Sequence, residues 1–518
     1  MKKINLLYLC LLVYCQNTTA QNTFSKKIQL PFVASVFSSV VALDSFYYSI
    51  GVALDTINGK EIVQLPLFVK TDAQGNIKIK KIYKDSSSYV LFTPTLQLID
   101  NNKLLVSSGF IRDTSRKSTV VLKWDLNGNV VEKRRYSGPV EDCLPTNVFT
   151  LTSKDGLFTY LIDWAINLPC VKDNYNYEYL VTKLDKSGNK IWQKYYGDEL
   201  RDIAYCATED SDGGLIVGGE KRNDLTIGKH YTWRNYIIKI DKDGNLLWEY
   251  LAPIEKKWYH TTDIRAMIKT KDNGLVVAAH RAEEDDSVFP SELLFEYMIY
   301  KLDSNRNIIW RTFMKPVYYA AFTQMATMRA LSDESGFVGC GKVWYPIKNH
   351  GYGGAIFKVA PNGDSLWLRR YEAVTDTSII IDENLADIKE TKDKGFILCG
   401  ESYKFGVKNP EQSPWLLKLD SCGCLVPGCG KKAATKDFST EPKLQIYPNP
   451  VSDVLGVYLE NLPNRQPELL LLYDEQGHLV KKHNLQHEDT TYLLDMTAFP
   501  SGTYILKVGN ATRKVVKM

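Results

Sequence analysis

The chain has 518 residues, a formal net charge of +4 at pH 7 and 12% aromatic residues. A balance this close to neutral excludes the concentrated basic surface of a nucleic-acid-binding protein, and the length exceeds one ordinary domain unless a repeated unit builds a shared core. Abundant aromatic residues and 33 glycines, without sustained helical periodicity, predict an all-β fold of short strands and turns.

The first twenty residues have the pattern of a secretory signal peptide. Lys2 and Lys3 precede an apolar run, and Ala20 places a small side chain at the expected cleavage position. We predict that residues 1–20 are removed. No later segment approaches the roughly 20 apolar residues that span a bilayer, so we expect no transmembrane segment in the exported chain.

Seven related hairpins follow, and one of them reads KIDKDGNLLWEY at residues 239–250. Each is preceded by two further strand-like segments, so a unit of roughly 60 residues recurs along the chain. Seven units of four strands predict a seven-bladed β-propeller over residues 21–430, because radial packing leaves few open sheet edges. The hairpins are centred on Asp72, Asp125, Asp185, Asp241, Asp303, Ala360 and Asp420.

The Asp-x-x-Gly-Asn centre of these hairpins is typical of a tight turn. An Asp carboxylate can cap nearby backbone N–H groups, while Gly and Asn accept positive φ. A calcium loop would need more oxygen ligands than the variable positions supply, so we predict no metal site and no cofactor. Four tryptophans that follow the turns are expected to pack between neighbouring blades: Trp192, Trp248, Trp310 and Trp367.

The hairpins resemble the repeats of two propeller families. Sialidase-type Asp boxes have one residue between Asp and Gly, whereas two residues separate Asp241 from Gly244. Quinoprotein-like repeats have a similar Asp, Gly and Trp arrangement but usually carry a Thr-Gly turn. The resemblance implies blade geometry and no particular enzyme.

The seventh unit lacks a regular last strand, so we expect residues 27–32 to pair with it. Cysteines give two further expectations for an exported chain. Cys143 and Cys170 are a candidate disulfide, because they lie in loops that flank one repeat. Cys422, Cys424 and Cys429 are crowded enough for one short bridge, whose pairing stays open. Cys340 and Cys399 sit inside apolar strands and are expected to be buried free thiols.

The long, dissimilar loops of the predicted propeller all fall on one face. Exposed aromatic residues clustered on such a face suit glycan or protein recognition; the alternative is that several of them pack the loops onto the blades. The ligand-binding candidates are Tyr231, Trp233, Trp258, Tyr259, His260, Tyr318, Tyr319, Trp344, Tyr345 and Tyr352.

The sequence contains no recognisable nucleophile, metal or paired-carboxylate motif, so we predict no catalytic residues. The first hypothesis is therefore a non-catalytic module that binds a glycan or a protein. The alternative is a polysaccharide-active hydrolase or lyase, since two suitably spaced carboxylates in the propeller funnel would be sufficient. A third hypothesis is a purely structural role in a surface layer.

After a polar linker at residues 431–443, the tail at 444–518 alternates short strands with turns and predicts a small β-sandwich. It closely resembles the C-terminal sorting domain of Bacteroidetes cargo of the type IX (Por) secretion system. The matching residues are Tyr447, Pro448, Asn449, Pro450, Gly477, Gly502, Tyr504 and the Lys-rich end through Lys517. The resemblance implies the type IX translocon and its sortase as partners, and a secreted or outer-membrane surface-attached product.

Overall fold

The structure of the chain is a computed structural model, and it describes most residues from 21 onward. The stretches outside the description are 1–20, 58–60, 85–88, 92–94, 113–116, 137–148, 167–176, 199–200, 228–229, 254–259, 285–292, 315–322, 345–350, 374–379, 406–410, 427–442, 448, 461–468, 485–490 and 509–510. All helical or strand structure in the described residues is β-strand. The predicted signal peptide, Cys143, Cys170, Cys429 and most of the linker lie outside the described residues.

The chain divides into two compact units, consisting largely of residues 1–430 and of residues 431–518. The described residues of the first unit form seven antiparallel sheets, which we number in chain order. The early strands are β1 (Phe24–Lys27), then β2 (Ala34–Leu43), β3 (Phe46–Ile57), β4 (Glu61–Asp72) and β5 (Ile77–Ile82) in sheet 1, and β6 (Tyr89–Leu91), β7 (Leu96–Ile99), β8 (Leu104–Arg112), β9 (Lys117–Asp125) and β10 (Val130–Tyr136) in sheet 2.

The next three sheets each take four consecutive strands, and neighbours along the chain are neighbours in the sheet. These strands are β11 (Phe149–Thr152), β12 (Phe158–Ile166), β13 (Tyr177–Asp185) and β14 (Lys190–Tyr196) in sheet 3, β15 (Asp202–Glu209), β16 (Leu215–Ile227), β17 (His230–Ile240) and β18 (Leu246–Leu251) in sheet 4, and β19 (His260–Lys269), β20 (Leu275–Glu284), β21 (Leu293–Leu302) and β22 (Ile308–Met314) in sheet 5.

The last two sheets of this unit differ in how they are completed. Sheet 6 again takes four consecutive strands, whereas sheet 7 takes three and receives β1 as its fourth. The strands are β23 (Thr323–Ala330), β24 (Phe337–Trp344), β25 (Tyr352–Val359) and β26 (Ser365–Tyr371) in sheet 6, and β27 (Ile380–Glu390), β28 (Phe396–Phe405) and β29 (Gln412–Leu419) in sheet 7.

Strand β1 pairs antiparallel with β29, so that Phe24 lies opposite Lys418 and Lys27 lies opposite Trp415. The pairing begins three residues earlier than the sequence predicts. The fully buried Trp415 fixes this register, because its indole N–H donates to the Ser25 hydroxyl at 3.0 Å. The earlier register leaves the chain beyond Ile28 available to lead into sheet 1.

The core of the first unit lies between consecutive sheets. Tyr179 of sheet 3 and Tyr236 of sheet 4 are buried with ring centroids 5.3 Å apart, and Tyr297 of sheet 5 lies 5.6 Å from Phe357 of sheet 6. One buried cluster joins Phe37 and other residues of sheet 1 to residues of sheet 7. Large aromatic side chains thus supply much of the apolar area between sheets.

The Asp-x-x-Gly hairpins are tight turns, with the Asp carboxylate as the cap. Asp241 Oδ1 accepts from the backbone N–H groups of Asp243 at 2.9 Å and Asn245 at 2.7 Å, and the Asn245 side chain donates to Oδ2. Gly244 has φ +77°, which an L side chain rarely adopts. These contacts occupy the carboxylate that a calcium loop would need.

The four repeated tryptophans are half-buried, and each contacts the turn of the following sheet, as predicted. The Trp192 indole N–H donates to the Lys242 carbonyl at 3.3 Å, and the Arg306 guanidinium lies 5.1 Å from the Trp248 ring centre. A Cβ at Gly363 would lie 2.6 Å from Trp310, and one at Gly423 would lie 2.6 Å from Trp367. Close contact as well as φ therefore favours glycine at positions 363 and 423, whereas Arg306 holds the corresponding position beside Trp248 with φ +72°.

Five cysteines lie in the described residues, and the structure shows which of them are free and which is in a disulfide. Cys340 and Cys399 are buried and free, as expected, and so is Cys206. Cys422 is free while Cys424 is disulfide-bonded, which excludes a Cys422–Cys424 pair. The partner of Cys424 lies outside the described residues.

The second unit has two sheets that share one buried apolar cluster, in the arrangement of a small sandwich. One sheet contains β30 (Lys443–Tyr447), β31 (Val454–Glu460) and β34 (Thr491–Asp495), and the other contains β32 (Leu469–Tyr473), β33 (Leu479–Asn484), β35 (Gly502–Val508) and β36 (Ala511–Lys517).

Several tail residues that resemble the sorting motif have structural roles. The Asn449 amide donates to the Lys514 carbonyl at 2.7 Å and accepts from the Val516 N–H at 2.8 Å, which anchors the turn to β36. The buried Tyr504 donates to the Pro500 carbonyl at 2.7 Å. Gly477 has φ +83° in its turn. Among the described residues, no helix is long and apolar enough to cross a membrane.

The contact between turn glycines and tryptophans predicts a stability difference between two Gly→Ala variants. Gly363→Ala should lower the free energy of unfolding by about 2–4 kcal/mol, because the new methyl group overlaps Trp310 and φ is +94°. Gly156→Ala is the matched control: φ is +70° but no heavy atom lies within 4 Å, so only about 1 kcal/mol is expected.

Urea unfolding followed by tryptophan fluorescence measures this difference. All ten tryptophans precede residue 431, so the signal reports the first unit. Equal losses in the two variants would contradict the packing role of Trp310.

Candidate functional site

Two of the ten predicted ligand-binding residues can be placed with their side chains. Trp233 is the fourth residue of the third strand of sheet 4, Tyr352 begins the third strand of sheet 6, and both are half-buried. Tyr231, His260 and Trp344 lie on strands, but their side chains fall outside the described part. Trp258, Tyr259, Tyr318, Tyr319 and Tyr345 are outside it entirely.

Trp233 belongs to an aromatic and cationic cluster. The Arg201 guanidinium carbon lies 5.1 Å from the Trp233 ring centre and 5.3 Å from the ring centre of Tyr177. Tyr177 begins the third strand of sheet 3, so the cation bridges two neighbouring sheets at the ends that carry the long connections. Cation–π contact fixes the ring orientation without covering both faces.

Tyr352 has a similar environment. Lys342 Nζ lies 4.3 Å from the Tyr352 ring centre and 3.5 Å from Asp382 Oδ2 of sheet 7. Burial, with a smaller effect of the Asp382 charge, raises the pKa of Tyr352, so the phenol stays protonated at neutral pH. The ring can therefore present both a hydroxyl donor and an apolar face.

The first strands of five sheets share a feature that sequence reasoning missed. A β-bulge interrupts each at the same position, and its extra residue is half-buried while the residue before it is buried. Bulges commonly redirect a side chain next to a functional site. The bulged residues are Ser38, Tyr205, Arg265, Ala326 and Ala386.

Glycines in the second strands were the available signal for these bulges. A Cβ at Gly51 would lie 1.9 Å from the Val36 carbonyl oxygen, and one at Gly219 would lie 1.9 Å from that of Ile203. A glycine inside a strand marks a bulge or a close backbone approach.

The two large bulged side chains contact each other. The Arg265 guanidinium lies 4.5 Å from the Tyr205 ring centre, and the Tyr205 hydroxyl donates to Glu220 Oε1 at 3.0 Å. Arg265 also forms an ion pair with Asp263. A phenol, a cation and two carboxylates thus meet between sheets 4 and 5.

Asp263 extends this cluster to sheet 6 through the buried His280. His280 Nε2 accepts from the Met325 backbone N–H, so the neutral ring carries its proton on Nδ1 and donates to Asp263 Oδ1 at 2.8 Å. Because Arg265 occupies Oδ2, both carboxylate oxygens of Asp263 are engaged within the protein.

Two buried carboxyl groups of sheet 4 titrate near neutrality. Burial, followed by the charge of Asp263, raises the pKa of Glu220 to about 7. Burial also raises the pKa of Asp202 to about 7, although Lys221 opposes the shift. A carboxyl group poised near pH 7 can serve as a general acid, and Glu220 is the better candidate of the two because it is 9% exposed whereas Asp202 is 0% exposed.

Metal chemistry has no candidate ligand set in this region. Within the part of the chain that the structure describes, no group of three or more His, Cys, Asp or Glu residues is placed to hold an ion.

Comparison with known proteins identifies the tail. Residues 445–518 match the secretion system C-terminal sorting domain. This domain implies export of the chain by the type IX secretion system, to the cell surface or the medium. No curated protein matches the chain.

Solved structures with some likeness include proteins of different kinds. A protein of unknown function from Dyadobacter fermentans is 12% identical with a TM-score of 0.40, over 65% of this chain and 96% of that one. An α-L-arabinofuranosidase from Fusarium graminearum, solved with an iminosugar inhibitor, is 11% identical with a TM-score of 0.39, over 76% and 98%. A Trypanosoma rangeli sialidase in complex with 2,3-difluorosialic acid is 12% identical with a TM-score of 0.40, over 86% and 85%. Likeness at this level assigns no activity.

The raised pKa of Glu220 predicts a pH-dependent stability. Between pH 4.5 and about 7, Glu220 is protonated in the folded state and ionised in the unfolded state. The free energy of unfolding contributed by this group is therefore fully present below pH 4.5 and is lost as the pH rises through about 7. Glu220→Gln should therefore reduce the slope of unfolding free energy against pH by up to about 1.4 kcal/mol per pH unit between pH 5 and 7.

Urea unfolding at pH 5, 6, 7 and 8 tests this slope. Glu390→Gln is the control, because the pKa of Glu390 is lowered: burial opposes the shift, but hydrogen bonds from Ser332 and the charge of Lys394 outweigh it. Its slope in this window should match the parent. An unchanged slope in Glu220→Gln would contradict the assignment.

Proposed function

We propose that the first unit is a seven-bladed β-propeller of the quinoprotein-like Asp-turn type, closed by β1, that binds an extracellular glycan or protein without catalysis. In the proposed domain organisation, a signal peptide at residues 1–20 precedes the propeller, and a linker at residues 431–443 joins the propeller to the sorting tail. The sorting tail delivers the propeller to the medium or the outer-membrane surface, where such ligands are found.

The observation that carries this proposal is the pair of aromatic and cationic clusters at the loop-bearing ends of the sheets. Trp233 and Tyr352 are held in place by Arg201 and Lys342 while keeping part of their surface exposed. Preordered aromatic rings supply contact area at low entropic cost, and adjacent charged groups supply direction. The other eight aromatic and histidine candidates belong to the same proposed surface.

The arrangement of the carboxylates weakens the catalytic alternative. A glycosidase needs two carboxyl groups that reach the substrate or its attacking water. Asp263 instead gives both oxygens to His280 and Arg265, and it is 9% exposed, as is Glu220. A polysaccharide hydrolase or lyase remains the second candidate, favoured by the pKa of Glu220 near 7.

Binding of the purified protein to an array of glycans and extracellular proteins tests the first candidate. Trp233→Ala and Tyr352→Ala should each weaken capture of the ligand at least about tenfold, because an aromatic anchor commonly contributes 2 kcal/mol or more. Trp367→Phe is a control of the same residue type on an outer strand, and it should leave binding unchanged.

Release of reducing sugar in the same wells distinguishes the second candidate. If the parent protein releases reducing sugar and the Glu220→Gln variant does not, the enzymatic proposal replaces the binding proposal. Capture that survives both aromatic substitutions would remove the loop-bearing surface from consideration.

A further inference from the structure

A cavity of about 560 Å³ lies at the opposite ends of the sheets from Trp233 and Tyr352. Strands β2, β7, β11, β23 and β27 contribute to its lining, together with the turns that follow β7 and β11. Tyr205 and Arg265 of sheets 4 and 5 are not among the described lining residues. The volume lies in the range of pockets that enclose a small ligand.

Two cations that line this cavity, Arg329 and Lys389, share one buried carboxylate that lies behind them. Asp387 is 5% exposed, and its oxygens lie 2.9 and 3.0 Å from Lys389 Nζ and 3.3 Å from an Arg329 nitrogen. Burial acts to raise the pKa of Asp387, but Lys389 and Arg329 outweigh it and bring the pKa to about 2. One negative charge therefore faces two positive charges.

The same carboxylate is saturated by neutral donors. Asp387 Oδ2 accepts from the Ser39 hydroxyl at 2.6 Å and from the Val40 N–H at 3.3 Å, and Oδ1 accepts from the Ile388 N–H at 2.9 Å. These hydrogen bonds change no net charge, and the single negative charge of Asp387 balances only one of the two cations. The Arg329 side chain is 42% exposed and that of Lys389 is 25% exposed, and both line the cavity. Lys154, Asp100 and Asp155 also line the cavity, at its turns, so the excess of positive charge is local to Arg329 and Lys389, where an anionic group that enters the cavity can reach it.

The remaining walls combine hydroxyl or amide groups with apolar surface. Thr95 and Thr152 contribute hydroxyl groups to the lining, and Leu98, Phe149 and Leu151 contribute apolar surface. Such a mixture suits a ring that has hydroxyl groups on its edge and C–H groups on its face. The same lining suits an inorganic anion poorly, because such an ion has no apolar surface to pack against the apolar wall.

The mouth of the cavity has an unusual turn. Asp100, Asn101 and Asn102 adopt φ values of +51°, +53° and +64° in succession, whereas the corresponding turn of sheet 3 has one such residue, Gly156. Consecutive left-handed residues are energetically costly and are often found where a backbone is shaped for binding. All three residues line the cavity and are exposed.

We propose that this cavity binds an acidic sugar unit, with the sugar carboxylate at Arg329 and Lys389 and the ring against Phe149 and Leu151. The hydroxyl groups of the sugar then face Thr95, Thr152 and the turn at residues 100–102. This cavity is separate from the loop-bearing surface of the proposed function, so an experiment can disprove one binding site without disproving the other.

Isothermal titration of the purified protein with a uronic acid disaccharide tests the site. The matched probe is the same disaccharide with each carboxyl group reduced to a hydroxymethyl group. The acidic disaccharide should bind at least about tenfold more tightly, since a charge-assisted hydrogen bond to a guanidinium is lost in the neutral probe. Rising salt should weaken binding of the acidic probe alone.

Three variants locate the binding. Arg329→Gln should weaken binding of the acidic disaccharide about tenfold or more, and Leu151→Trp, which fills the cavity without changing charge, should abolish it. Lys190→Gln removes one exposed positive charge from an outer strand and should have no effect. Melting curves confirm that each variant is folded, and Leu151→Trp still tests the site if Arg329→Gln is unstable.

Three results would overturn the proposal: no binding of the acidic disaccharide at about 10 mM, equal binding of the two probes, or full binding by Leu151→Trp. Binding that depends on Trp233 or Tyr352 instead of Leu151 would assign the acidic sugar to the loop-bearing surface. Loss of array binding in the aromatic variants with retained disaccharide binding would show that the two sites are independent.

Discussion

The interaction on which the first unit depends most is the contact of Asp387 with groups from distant parts of the chain. A buried carboxylate costs several kcal/mol in lost hydration unless charged and hydrogen-bonding partners surround it. Here the partners come from sheet 7 itself, from Arg329 of sheet 6 and from Ser39 of sheet 1, whose hydroxyl also accepts the Leu96 N–H of sheet 2 at 3.1 Å. The ionised group has its full set of partners only when sheets 1, 6 and 7 are together, with sheet 2 joined through Ser39, which favours cooperative assembly.

The two ends of the sheets have different physical tasks. At one end, the turns of sheets 4 to 7 pack against the tryptophan of the preceding sheet, and the glycines in three of these turns leave little freedom for substitution. At the other end, aromatic rings lie beside cations, and the connections differ in length and sequence from sheet to sheet. A rigid scaffold that carries variable segments is a common basis for recognition, because loops can change without disturbing the core.

Features set by neighbouring residues could be predicted from the sequence, and features set by distant residues could not. The Asp241 turn is local, since every group that satisfies the carboxylate lies within four positions. The partner of β1 could be inferred from a missing strand, but its register depends on Trp415 and Ser25, which are 390 positions apart. The contact of Asp387 with Ser39 spans 348 positions and leaves no pattern in either segment.

The candidate sites follow the same division. The aromatic residues near the long loops are visible in the sequence as a compositional cluster, and the structure describes the side chains of two of the ten, Trp233 and Tyr352. The cluster of Glu220, Asp263 and His280 draws on separate repeats, and each residue looks unremarkable in its own strand. The bulges that direct Tyr205 and Arg265 were signalled only indirectly, by small residues such as Gly219 in the strand opposite.

The pairing of β1 with β29 also has a consequence for the time order of synthesis and export. Phe24 is among the first described residues to leave any pore that the chain enters by its N-terminus, yet its partner Lys418 follows nearly 400 positions later. Sheet 7 therefore has no complete set of strands while the chain is in transit. The unit gains its last sheet only after residue 419 has emerged.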